Sequence, residues 1–220
     1  KDMLSFCIIE AISNPKKERL KPGDINIGEW LQTLSTFASK VFLKFSINLG
    51  GILQYVINKL KTREGFDLVV FQDIIKKLTG MERVEDVTDV QLLAMTGGLL
   101  LAEAGSFSGS KVGKDQTRAT IRLRKALLDV DANGEDFALP TLILIAQQLS
   151  AIVFDPRMAK ANLKLVAELY DQCSETLVQF SAFMTLHVKD KEYAARIPSV
   201  KELCLTYKLP AKVVFHLRRP

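Results

Sequence analysis

Histidine and cysteine are scarce in this 220-residue sequence, which holds two of the first, His187 and His216, and three of the second, Cys7, Cys173 and Cys204. An odd number of cysteines at wide spacing, with no CxxC pair, excludes a disulfide framework and points to a reducing, intracellular setting. With the two histidines they also lack the close spacing of a zinc site. Glycine (12) and proline (7) are sparse, which excludes collagen-like and low-complexity chains. Long apolar runs are missing too. The longest, Phe137 to Ala146, is interrupted by Pro140 and Thr141, whereas a membrane-spanning helix needs about 20 such residues; no membrane association is expected. The opening Lys1-Asp2-Met3 has no signal-peptide core, and His216 to Pro220 ends on basic residues, so both ends read as cuts through a longer protein.

What is present is an ordinary folding composition, 48% hydrophobic and 25% charged, at a length that makes one or at most two domains. The apolar pattern is helical almost throughout. Leu4, Ile8, Ile9 and Ile12 suit a first helix that must stop near Asn14-Pro15. Trp30, Leu31, Leu34, Phe37, Ala38 and Val41 form the amphipathic stripe of a second. Asn48 can cap a third, with Ile52, Leu53, Val56, Ile57 and Leu60 inward. A fourth runs from about Asp67 to Leu78 and stops at Gly80.

Thr88 and Gln91 form a capping-box pair, and Gly105 to Gly113 is the most loop-like stretch. Further helices are expected over Asp115 to Asp129, over Leu139 to Phe154, and from Asp155-Pro156 towards Leu186. In the last, Val166, Tyr170, Cys173, Leu177, Phe180 and Met184 alternate by four and three. Ser199 with Glu202 is another capping box, Pro210 can start a final helix, and Val213-Val214-Phe215 is the one credible short strand. Nine or ten successive helices with short turns give an all-α fold, bundle or solenoid. The chain divides into a helical-pair region over 1–104, a flexible Gly/Ser loop over 105–114, and a continuing α-solenoid over 115–220.

The net charge of +5 is local. Lys111, Lys114, Arg118, Arg122, Arg124 and Lys125 face only Asp115 in their window, a surplus that accounts for the whole excess. Arg118, Arg122 and Lys125 recur at helical spacing and share a face. These six residues are the candidate contacts for a partner or for RNA. A solvated face is the bland alternative; phosphate and an acidic protein surface are the functional ones. No aromatic residue is interleaved among them, so a stacking platform for single-stranded RNA is not evident.

Other motifs fail on chemistry. Asp129, Asp131, Asn133 and Gly134 match the first half of a calcium loop, but the position of the bidentate glutamate holds Pro140. Gly113-Lys114 lacks the glycine and the Ser or Thr of a phosphate loop, with Ser108 and Asp115 in those places. The carboxylates Glu82, Glu85, Asp86 and Asp89 form an acidic turn without apolar shielding. Cys173 lies on an inward seam, as a small hydrophobe does. No catalytic residue, metal or cofactor is implied.

Several strings go further. Glu29-Trp30-Leu31-Gln32-Thr33-Leu34-Ser35-Thr36-Phe37, Leu53 to Lys61, and Phe66-Asp67-Leu68 through Gly80 to Met95-Thr96-Gly97-Gly98 resemble the large scaffold subunit family of the THO complex. Arg122 to Asp129, Ala138-Leu139-Pro140, Leu169 to Cys173, Thr176 to Phe180 and Ile197 to Val200 continue the resemblance in order, over roughly positions 4 to 220. The departures fall in loops, at 105–114 and 131–136. The resemblance implies a HEAT-like helical-pair solenoid similar to the middle domain of translation initiation scaffolds (MIF4G-like). It also implies a nuclear, non-catalytic scaffold of the transcription–export (TREX) assembly. Its expected partners are the other THO subunits and a DEAD-box RNA helicase. A direct RNA-binding helical module using segment 111–125 is the alternative.

Overall fold

The computed structural model describes residues 2–13, 25–63, 65–80, 115–129, 136–154 and 163–218. Among these, ten α-helices and no strand occur: α1 (Asp2–Ile12), α2 (Ile25–Lys44), α3 (Gly50–Lys61), α4 (Leu68–Thr79), α5 (115–128), α6 (Ala138–Phe154), α7 (Leu163–His187), α8 (Asp190–Arg196), α9 (Val200–Leu205) and α10 (Ala211–Arg218).

Local chemistry sets most of the boundaries. The N–H of Gly50 donates to Asn48 Oδ1 at 2.9 Å, so Asn48 satisfies a donor at the start of α3. Gly80 ends α4 in the left-handed region at φ 71°, where a side chain would be strained. Asp136 Oδ1 accepts from Leu139 N at 3.1 Å and caps α6, which leaves Pro140 inside the first turn, where its missing N–H costs nothing. The Ser199 hydroxyl accepts from Glu202 N at the start of α9. The Thr88–Gln91 pair, the Gly105–Gly113 stretch, the acidic turn Glu82–Asp89 and Asp155-Pro156 lie outside the described residues.

The helices stack as pairs in two layers. α1 packs on α3 and α3 on α6; α2 packs on α4 and α4 on α7. Contacts of α1 with α2, α3 with α4 and α6 with α7 join the rows, so three pairs lie side by side. This is the stacking of an α-solenoid, in which each unit buries its apolar face on its neighbours. One hydrophobic cluster, from Ile8 and Ile12 through Phe42, Phe71 and Leu123 to Phe180 and Leu217, runs through both sides of the 105–114 segment.

α2 and α4 make the densest interface because α2 turns Ser35, Ala38 and Ser39 inward, all fully buried and all small. The polarity this brings is answered by Asp73 of α4. Its Oδ2 accepts from Ser35 Oγ at 2.8 Å, Gln32 Nε2 at 3.1 Å and Thr36 Oγ1 at 3.2 Å. On the other side of α4, Phe71 meets Phe180 of α7 edge-on at 5.1 Å between centroids.

Two expectations are corrected. Val213-Val214-Phe215 is helical: Val213 N and Val214 N both reach Pro210 O at 3.0 Å, and the two valines are buried with Leu217. Burial of one helix face outweighs the modest strand preference of adjacent β-branched residues. Three aromatic members of two predicted stripes, Trp30 and Phe37 of α2 and Tyr170 of α7, are exposed, whereas Phe180 of the α7 stripe is buried as expected. Phe42, outside the predicted α2 stripe, is fully buried in their stead.

Candidate basic interface

α5 lies across the ends of α2 and α4. Thr120 Oγ1 is 2.8 Å from the carbonyl of Leu78 in the last turn of α4. Arg122 reaches the end of α2, where Nη1 donates to Phe45 O at 2.6 Å and Nη2 to Phe42 O at 2.9 Å and Leu43 O at 3.3 Å. The last carbonyls of a helix have no partner within it and carry its negative dipole end. A guanidinium meets both needs, since its planar fork serves several acceptors with one charge. Partial burial draws the pKa of Arg122 down, against an upward pull from Asp115; arginine stays charged regardless.

The six candidate residues are therefore sorted by their surroundings. Lys111 and Lys114 lie outside the described residues. Arg118, Arg122 and Lys125 share one flank of α5, as their spacing requires. Within that flank Arg122 turns into the protein, while Arg118 and Lys125 stay exposed one turn to either side. Lys125 Nζ is 3.9 Å from Asp129 Oδ2, both well exposed, a pair worth little. Arg124 points elsewhere: it is exposed, and burial, with the charge of Arg124 second, lowers the pKa of His187 on α7.

Sequence spacing also misses part of this surface. Ile121, a helical neighbour of Arg118 and Lys125, is 62% exposed, and Phe45, whose carbonyl Arg122 holds, is 51% exposed. Lys44, the last residue of α2, is exposed beside Phe45. The signal for Ile121 is in the sequence, since Ala119, Leu123 and Leu127 recur at i+4 on one buried face of α5 and Ile121 lies on the opposite side. Phe45 carries no such signal, because its place beside α5 depends on a contact 77 residues away.

Nothing else among the described residues converges. No group of three or more His, Cys, Asp or Glu residues there could hold a metal ion. Of the calcium-loop residues, Asp129 closes α5 and Asp131, Asn133 and Gly134 lie outside the description. Asp136 is committed to the α6 cap and to Arg196, which also pairs with Glu192 at 3.1 Å. Cys173 is fully buried, and burial pushes its thiol up to about 12, as for an inert core cysteine. No described helix is long and apolar enough to cross a membrane.

The chain is similar along its whole length to known proteins. A family model described as Thoc2, transcription- and export-related complex subunit, matches residues 1–35. THO complex subunit 2 of Homo sapiens is 42% identical over 219 residues, a match that takes in the whole of this chain and 13% of the relative. The protein of the same name from Rhinolophus ferrumequinum gives the same figures. That from Arabidopsis thaliana is 34% identical over 222 residues, again the whole chain and 12% of the relative. The chain thus spans about an eighth of the length of the curated relatives it matches.

Proposed function

We propose that this chain, which belongs along its whole length to the THO complex subunit 2 family, is a non-catalytic helical support within that nuclear transcription–export assembly. It holds other THO subunits and offers a docking face to a DEAD-box RNA helicase, and so links transcription to the packaging and export of messenger RNA. The observation that carries the reading is 42% identity to THO complex subunit 2 of Homo sapiens over the whole of a chain whose helices stack in pairs. Stacked pairs leave long edges of helix ends and turns on which partners can sit. Arg122 at such an edge, like Asp73 inside the α2–α4 interface, is consumed in holding helices together.

Co-purification tests this. The tagged chain is expected to retain other THO subunits and, in a separate mixture, the DEAD-box helicase. Recovery of the chain alone from both overturns the reading. A second reading, direct RNA binding through segment 111–125, is favoured by the exposed cations Arg118 and Lys125. Phosphate contacts make affinity fall steeply with salt, so an oligouridylate titration at two salt concentrations distinguishes it from a protein contact.

A further inference from the structure

The edge where α5 crosses the end of α2 combines a surplus of cations, with Asp115 and Asp129 at its two ends, with apolar side chains that nothing in the described chain covers. Arg118, Ile121 and Lys125 follow one another at i, i+3 and i+7, so they form a continuous exposed ridge. Arg122, within the same turns, is anchored to the carbonyls of Phe42, Leu43 and Phe45, which brings the ridge against the α2 end. Phe45 and Lys44 are exposed there. The surface therefore reads cation, isoleucine, cation along α5, with a phenylalanine and a further lysine beside it. α5 is also tied by Arg122 to α2 and by Thr120 to α4, which lowers the ordering cost of binding at the ridge.

We propose that this ridge is the docking site for an acidic amphipathic helix of a protein partner. The partner's leucine or phenylalanine side chains would seat on Ile121 and Phe45, and its carboxylates would face Arg118, Lys125 and Lys44. The proposal deepens the scaffold reading by giving the chemistry of the segment docked on α5. Two features favour a protein helix over a nucleic-acid strand. The most central exposed side chain, Ile121, offers a base nothing to stack on and a phosphate no donor. The arginine best placed to fork a phosphate, Arg122, already spends both terminal nitrogens on backbone carbonyls. An amphipathic helix answers both halves of the surface, with apolar anchors at i, i+3 and i+4 spacing and acidic residues at their flanks.

The test uses the whole chain and three fluorescein-labelled probes read by anisotropy. One is a helical peptide with leucines at every third and fourth position and glutamates between. The second is the same peptide with its leucines replaced by glutamine, and the third is an oligouridylate of equal charge. The amphipathic peptide is expected to bind, with the leucine-free peptide at least about tenfold weaker. Ile121→Ser is expected to weaken the amphipathic peptide by about tenfold, and Arg118→Glu with Lys125→Glu to abolish its binding. Both changes are at exposed positions, and an unchanged thermal midpoint confirms that the fold survives. Equal binding of the two peptides, indifference to Ile121→Ser, preference for the oligouridylate, or no binding of the amphipathic peptide overturns the proposal. Co-purification with THO subunits is scored separately, so peptide binding without subunit capture sinks the assembly reading alone, and the reverse sinks only this one.

Discussion

Arg122 closes the end of the helix that carries Phe42. Its Nη2 donates to the Phe42 carbonyl at 2.9 Å across 80 residues of sequence, while Nη1 holds Phe45 O. A residue that spacing alone assigns to a solvent-facing basic stripe is thereby one of the ties between α5 and the body of the solenoid.

Substitution separates the two roles. Arg122→Met is expected to destabilise the chain by about 1–3 kcal/mol, because it leaves partly buried carbonyls without a donor. Arg122→Lys restores the charge but not the fork and recovers only part of the loss. Urea unfolding of the three proteins checks this; equal stability of wild type and Arg122→Met would refute it. Arg118→Ala, at an exposed position one turn away, is expected to stay within about 0.5 kcal/mol of wild type.

Asp73 binds α2 to α4 through one carboxylate oxygen that takes three donors. Asp73→Ala removes the acceptor shared by Ser35, Gln32 and Thr36, leaving the buried Ser35 hydroxyl only Val69 O at 3.2 Å, and is expected to cost about 1–3 kcal/mol. Asp73→Asn keeps an acceptor and costs less. A double-mutant cycle with Ser35→Ala is expected to give a coupling of about 1 kcal/mol or more, since the residues touch. Additive losses in that cycle would show that the bond contributes nothing specific.

Thiol labelling follows burial. Cys7 is exposed, while Cys173 is fully buried with its pKa pushed up to about 12. Only the thiolate attacks a disulfide reagent, so Cys7 is expected to label within the mixing time at pH 8 and Cys173 only after denaturant is added. Mass spectrometry of the modified peptides reads the order directly. Early labelling of Cys173 would contradict its place in the core.

The pH dependence has a sign set by His187. Burial, first, and the nearby charge of Arg124, second, lower its pKa from the ordinary 6.5. The folded chain therefore holds His187 neutral where the unfolded chain binds a proton, and its contribution to stability is complete above pH 6.5 and declines as pH falls through that value. Thermal midpoints are expected to drop between pH 7.5 and pH 5.5. Arg124→Gln removes one of the two causes and is expected to shrink the drop. An identical pH profile in the variant would show that Arg124 does not act on His187.

Much of the fold is legible along the chain because helices announce themselves locally. Ile52, Leu53, Val56, Ile57 and Leu60 are spaced for one face and are the buried face of α3. Gly80, Asn48, Ser199 and Pro210 stand where the chain turns, for reasons of φ, side-chain acceptors and a missing N–H. The candidate interface is legible only in outline. Spacing gives the common flank of Arg118, Arg122 and Lys125, but it cannot say that one of the three is spoken for, nor that Phe45 lies beside them.

The sequence by itself determined most of the helical segments, α8 and residues 213–215 excepted, and where the surplus positive charge sits, because each depends on residues within one or two turns of each other. Tertiary structure alone decided that Val213 and Val214 join a helix, that Phe42 rather than Phe37 faces the core, and that Arg122 serves the carbonyls of α2. Those outcomes rest on burial against, and hydrogen bonds to, partners tens of residues away, and nearest-neighbour spacing carries no trace of such distances.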